Sequence, residues 1–136
     1  MGAWSEDTFG NDIACDWVGT FLDVPSVETV REAIDEVLGT EDYLDSYEAS
    51  MCLAACEVIA RSQGRWGVRD AYSEELDAWL EQNPLEIQED LKKAADDAIA
   101  RILGPDSELV DLWDDGGHNE SWHEAVDDLR ARVKGD

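Results

Sequence analysis

Along most of the chain the apolar residues recur three or four positions apart, the spacing of helices that bury one stripe. In "GNDIACDWVGTFLD" the apolar positions are Ile13, Trp17, Val18, Phe21 and Leu22. Asn11 stands before them as an N-cap, and Asp12 puts negative charge in the first turn, where the helix dipole favours it. Pro25 ends this element and Ser26 opens the next. "SVETVREAIDEVLG" sets Val27, Val30, Ile34, Val37 and Leu38 on one stripe, and Gly39 stops it.

The third segment, "DSYEASMCLAACEVIARSQG", is different. Asp45 and Glu48 have capping-box spacing. From Met51 to Ala60 the residues are apolar almost all round, which predicts a helix at the centre of a bundle. Small residues at Ala54, Ala55 and Cys56 let neighbouring helices come close. Gly64 and Gly67 open a loop. Ser73 then caps a short helix with Leu76, Trp79 and Leu80, which Asn83 and Pro84 stop. "LEIQEDLKKAADDAIARILGP" carries Leu91, Ala94, Ala95, Ala98, Ile99, Ile102 and Leu103. Ser107 caps "ELVDLWDD", Gly116 and Gly117 break it, and "ESWHEAVDDLRARVK" buries Trp122, Ala125, Val126, Leu129 and Val133.

No stretch alternates long enough for a strand, and no repeat or linker interrupts residues 1–136. The expectation is an all-α fold: a single-domain bundle of six or seven helices around a buried Ala/Cys-rich central helix. Composition agrees. Hydrophobic residues make up 43% of the 136, with six tryptophans, and a chain of this length buries roughly two-thirds of its unfolded surface. No apolar run reaches the ~20 residues of a membrane span. The opening "MGAWSEDTFGNDIACDW" has neither the basic start nor the apolar run of a secretory signal. Cys15, Cys52 and Cys56 are odd in number and form no C-x-x-C pair, so they read as small buried hydrophobes in a reducing cytoplasm, with a redox or metal role the lesser alternative.

Charge changes the picture most. There are 34 acidic residues against 10 basic ones, a net charge of −24. Such a surface repels nucleic acid and anionic membrane and attracts a basic protein. The acids Glu28, Glu32, Asp35 and Glu36 lie opposite the apolar stripe of their helix, and Asp12 and Asp16 share a face of the preceding one. These six are the candidate partner-binding residues. Lysine is confined to Lys92, Lys93 and Lys134, so a halophilic or GC-rich background explains the acidity equally well.

Two smaller constellations carry candidate chemistry. His118, His123 and Asp127 sit in "HNESWHEAVDD", where His123 and Asp127 at i and i+4 echo the H-E-x-x-H zinc pattern with aspartate for the second histidine. With acids this abundant, a carboxylate near a histidine is expected without any metal. Arg61, Arg65 and Arg69 gather around the Gly64–Gly67 loop, a weak candidate for anion binding that pairs more readily with nearby carboxylates. No phosphate loop, nucleophile elbow or Cys–His arrangement is present, so no catalytic residue and no cofactor is expected.

"MGAW", Phe9, Asn11-Asp12, Ala14 and Asp16-Trp17 together resemble the opening of the family called Domain of Unknown Function 4259. "LAACEVIAR", Trp122 and Leu129–Arg132 resemble it further along, while Ser5 stands where the family usually has glycine. The resemblance implies a small bacterial, cytoplasmic, helical domain and carries over no catalytic residue. Trp4 and Phe9 read as anchors that plug the chain start into the core. The functional expectation is a non-enzymatic protein that binds a basic protein partner, an immunity protein against a basic toxin domain being its most concrete form. The alternatives are a metal-dependent hydrolase built on the His118–Asp127 segment and a nucleic-acid-mimicking inhibitor.

Overall fold

The computed structural model describes residues 8–9, 11–117 and 119–135. Seven helices follow one another: α1 (Asp12–Asp23), α2 (Val27–Leu38), α3 (Ser46–Ser62), α4 (Glu74–Gln82), α5 (Glu89–Leu103), α6 (Glu108–Trp113) and α7 (Glu120–Lys134). The all-α expectation holds, and no strand occurs among the described residues. Only an isolated parallel bridge joins Leu44 to Ser107.

Helix α3 is the axis of the bundle and touches all six others, while α5 also packs on α2, α6 and α7. The cause is its side chains. Cys52, Ala54, Ala55, Cys56, Val58, Ile59 and Ala60 have no exposed surface, so α3 has no solvent stripe and must be covered on every side. Its small residues allow neighbouring helices a close approach. The neighbouring helices present ordinary stripes: Trp17, Val18 and Phe21 from α1, Val30, Ile34 and Val37 from α2, Leu91, Ile99 and Ile102 from α5, and Trp122, Leu129 and Val133 from α7.

Three side-chain N-caps form, with Asn11, Ser26 and Asn119 accepting from the amides of Ala14, Thr29 and Trp122. The end of α3 closes in a Schellman arrangement, in which the amide of Arg65 reaches the carbonyl of Ala60 and that of Gly64 reaches Arg61. Gly64 takes the left-handed φ of +81° this requires.

Four local expectations need correction. Asp45 stands at the N-cap of α3 but its side chain caps nothing; the Ser46 amide instead donates to Glu108 Oε1 at 2.7 Å. Ser73 and Ser107 also occupy N-cap positions without a side-chain cap. The Ser73 hydroxyl is drawn away by Asp77 Oδ2 at 2.8 Å, and that of Ser107 is buried without a hydrogen-bond partner. Leu38 is 42% exposed, one position past Val37, which takes the buried place in the last turn of α2. Of the two proposed anchors at the chain start, Phe9 is buried and Trp4 lies outside the described residues.

The loop before α3 and the loop before α6 are sewn together. The Leu44 amide donates to the Asp106 carbonyl at 2.8 Å, and the Glu108 amide donates to the Leu44 carbonyl at 2.9 Å. Asp106 adopts a left-handed φ of 58°, a conformation aspartate tolerates better than most residues. Arg101 adds a bond to the Asp42 carbonyl at 2.6 Å.

Candidate functional site

Two regions concentrate the charge, one inside the bundle and one outside. The inner one begins with Glu57, an acid in the otherwise apolar run of α3. A lone ionised carboxylate there is costly unless paired and hydrogen-bonded. The i+4 spacing puts Arg61 one turn further on, and its Nε donates to Glu57 Oε1 at 2.9 Å. The same guanidinium donates to Asp77 Oδ1 of α4 at 2.6 Å and to the Val68 carbonyl at 2.8 Å. Glu57, Arg61 and Asp77 are only 3%, 2% and 3% exposed.

Arg132 closes the group from α7. It grips Glu57 with both terminal nitrogens at 3.0 and 3.1 Å, and its Nε donates to Asp128 at 2.8 Å. Thr8 donates to Glu57 Oε2 at 2.8 Å, and the face of Phe9 lies 5.3 Å from the Arg61 guanidinium carbon. Arg69 reaches Asp77 at 3.5 Å and Glu81 at 3.1 Å while stacking over Trp66 at 4.3 Å. The loop runs so close that a Cβ on Gly67 would lie 2.7 Å from Arg132 Cζ. A cavity of about 60 Å³ remains beside Thr8, Phe9, Glu57 and Arg132.

Burial alone raises the Glu57 pKa, but the Arg132 hydrogen bonds and the Arg132 and Arg61 charges, with Thr8, outweigh it and hold the carboxyl below its ordinary value. An ionised carboxylate engaged by four donor groups from three residues has no proton to give. The cluster is therefore a clamp. It ties the chain start, the 64–73 loop, α4 and α7 to the middle of α3.

Of the three arginines read as a surface cationic spot, Arg61 thus lies inside, because Glu57 one turn before it draws it inward. Arg65 and Arg69 reach the surface, where Arg65 donates to the Gly135 carbonyl at 2.6 Å. The histidine segment also differs from the zinc-like pattern. His123 Nε2 lies 3.0 and 3.1 Å from the two carboxylate oxygens of Asp114, across the α6–α7 turn, and Asp127 is exposed on α7. His118 lies outside the described residues. Among the described residues no three His, Cys, Asp or Glu side chains converge as metal ligands. The Cys56 thiol, hydrogen-bonded to Cys52 and fully buried, is pushed well above its ordinary pKa. Both cysteines are free and pack as small apolar side chains.

The outer region is the solvent face of α2. Glu28, Glu32, Asp35 and Glu36 are all exposed, opposite the buried Val30, Ala33, Ile34 and Val37. The one base of α2, Arg31, is engaged by Asp90 at 3.3 Å. Asp12 and Asp16 are exposed on α1. Among the described residues none of these six acids forms an ion pair.

With this geometry in place, comparison of the sequence with known families adds a class. The chain belongs to the family described as a domain of unknown function (DUF4259), which it matches over residues 2–125. No curated protein and no solved structure matches it. No helix among the described residues is long and apolar enough to cross a membrane.

Proposed function

We propose that this is a non-enzymatic binding domain that captures a basic protein surface, with the outer face of α2 as part of the contact. The unpaired carboxylates of that face carry the reading. Glu28, Glu32 and Glu36 succeed one another at i+4, a spacing at which like charges weaken a helix. Among the described residues no ion pair compensates them, whereas the buried Glu57 and Asp77 are both met by arginine. Carboxylates that burden their own helix are explained by a cationic partner, whose approach they accelerate. A basic toxin domain neutralised by its immunity protein is the most concrete partner of this kind.

The test begins with the partner recovered by cross-linking from the source cells. Its association rate is then followed by stopped flow at two salt concentrations, for the native chain and for Glu28→Gln/Glu32→Gln/Asp35→Asn/Glu36→Gln. Native association should slow steeply with salt, since screening shortens the charge field to ~8 Å at physiological ionic strength. The variant should associate more slowly at low salt and respond less. Equal rates for both chains at both concentrations would reject the reading and leave the acidity as a property of solubility.

A further inference from the structure

Aspartate followed by glycine occurs once in the chain, at Asp115-Gly116. The pair lies in the turn between α6 and α7, and both residues are exposed. Gly116 and Gly117 take φ of +87° and +140°, conformations open to glycine and strained for other residues. The Gly117 amide donates to the Asp114 carbonyl at 2.9 Å, whereas among the described residues no loop hydrogen bond holds the Gly116 amide. Beyond its chain neighbours, no atom lies within 4 Å of where a Cβ of Gly116 would stand.

An aspartyl–glycyl bond with that freedom rearranges without an enzyme. The Gly116 nitrogen attacks Cγ of the protonated Asp115 carboxyl. The N–Cγ bond forms, and the carboxyl hydroxyl leaves as water with the amide proton. A second water then opens the five-membered succinimide. Attack at Cγ restores aspartate. Attack at the main-chain carbonyl leaves the chain running through Cγ, with one extra methylene in the backbone and a free α-carboxylate, which is isoaspartate. Glycine favours the step because it puts no side chain in the way of the attacking nitrogen. The two Asp–Ser pairs are the next candidates by chemistry, and the fold restrains both. The Ser46 amide donates to Glu108 Oε1 at 2.7 Å, and Ser107 is 1% exposed at the bridge to Leu44.

We propose that Asp115-Gly116 is a self-modification site, where isoaspartate forms spontaneously and loosens the tie between α6 and α7. That tie depends on the spacing across the turn. Asp114 Oδ1 accepts the Asn119 amide at 2.8 Å, and the two Asp114 oxygens lie 3.1 and 3.0 Å from His123 Nε2. Asn119 in turn caps α7, and Trp113 stacks on Trp122 at 6.3 Å. A methylene added one residue after Asp114 changes the reach between Asp114 and Asn119, so these contacts no longer fit together. The new α-carboxylate stands on an exposed turn. It is the group that a protein-isoaspartate methyltransferase esterifies with S-adenosylmethionine, so the modified chain is a substrate for that class of enzyme. None of the six candidate partner-binding acids takes part, and the proposal is independent of the binding reading.

The purified chain is incubated near neutral pH at physiological temperature, and isoaspartate is counted by enzymatic methyl transfer from labelled S-adenosylmethionine. Electron-transfer fragmentation of the tryptic peptide 102–130 then locates it. Methyl-accepting sites should accumulate with time, most of them at position 115. Asp115→Glu, which would have to close a six-membered ring, should abolish the accumulation there. Asp115→Asn should speed it severalfold, because ammonia leaves the side-chain amide more readily than water leaves the carboxyl. Both substitutions fall at an exposed position and should leave the fold intact.

Hydrogen exchange of the isoaspartyl fraction, separated by chromatography, reads the structural consequence. Amides of α6 and the first turn of α7 should exchange faster than in the unmodified chain, while those of α3 should not change. No isoaspartate at 115, or as much at Asp45 or Asp106 as at 115, overturns the site. Isoaspartate at 115 with unchanged exchange in α6 and α7 overturns the loosening.

Discussion

Glu57 and Glu32 are the same side chain in two opposite situations. Glu57 sits in the core of α3 with two guanidiniums and a hydroxyl on its oxygens. Glu32 sits on the outside of α2 between two other glutamates and has no ion pair among the described residues. In the first case the protein supplies cations to match each buried acid. In the second it leaves the charge for the surroundings to match. Net charge alone cannot distinguish the two.

The strongest way to break this comparison is to remove a cation from the inside. Arg61→Ala leaves Asp77 and part of Glu57 buried without their central partner and should cost about 3–5 kcal/mol of folding free energy. Urea unfolding measures this, and a loss under about 1 kcal/mol, the scale of an exposed ion pair, would mean the inner cluster is no clamp.

A smaller effect is expected from pH. Glu57 in the folded chain lies below its ordinary value of 4.5, so the unfolded chain takes up its proton first on acidification. The stability it contributes is fully present above that value and is lost as pH falls through the lower folded value. Asp96, held low by its hydrogen bond to Arg130, acts in the same direction. Unfolding free energy should therefore fall as pH drops below about 4.5, and Arg132→Gln should flatten the fall more than Arg130→Gln does. Parallel curves for the native chain and Arg132→Gln would show that Arg132 does not set the Glu57 titration.

The smallest effect belongs to the outside. Glu28→Gln/Glu32→Gln/Asp35→Asn/Glu36→Gln should shift stability by no more than about 0.5 kcal/mol per site. Relief of like-charge repulsion is offset by loss of Glu28 from the first turn, where it favours the helix dipole. Thermal melts at low salt check this, and a loss comparable to that of Arg61→Ala would erase the distinction between the two regions.

The bundle was legible because helical spacing and its punctuation are local. Asn11, Ser26, Gly39 and Gly104-Pro105 mark element ends through their own backbone chemistry, and the apolar circumference of "MCLAACEVIA" marks the central helix. The capping-box spacing of Asp45 and Glu48 misled because a distant residue, Glu108, reached the Ser46 amide instead. The inner clamp was missed because its members come from α3, α4, α7 and the 64–73 loop. One trace was present: a glutamate in a helix with no polar face, four residues before an arginine. Residues of these types are almost never fully buried unless paired, so that doublet pointed inward.

The stitch between Leu44 and the Asp106–Glu108 segment bears on how the molecule assembles in time. Most contacts in a helical bundle are local and form quickly. This one joins loops separated by α3, α4 and α5, and closing so long a stretch of chain is entropically costly until those helices have docked. Its two backbone bonds and the Arg101 tie therefore belong to a late step, after the α2–α3–α5 packing that brings the loops together. A substitution that strains the left-handed turn at Asp106, such as Asp106→Val, would then act on unfolding more than on folding: the chain would collapse at its usual rate and reopen faster from the α6 end.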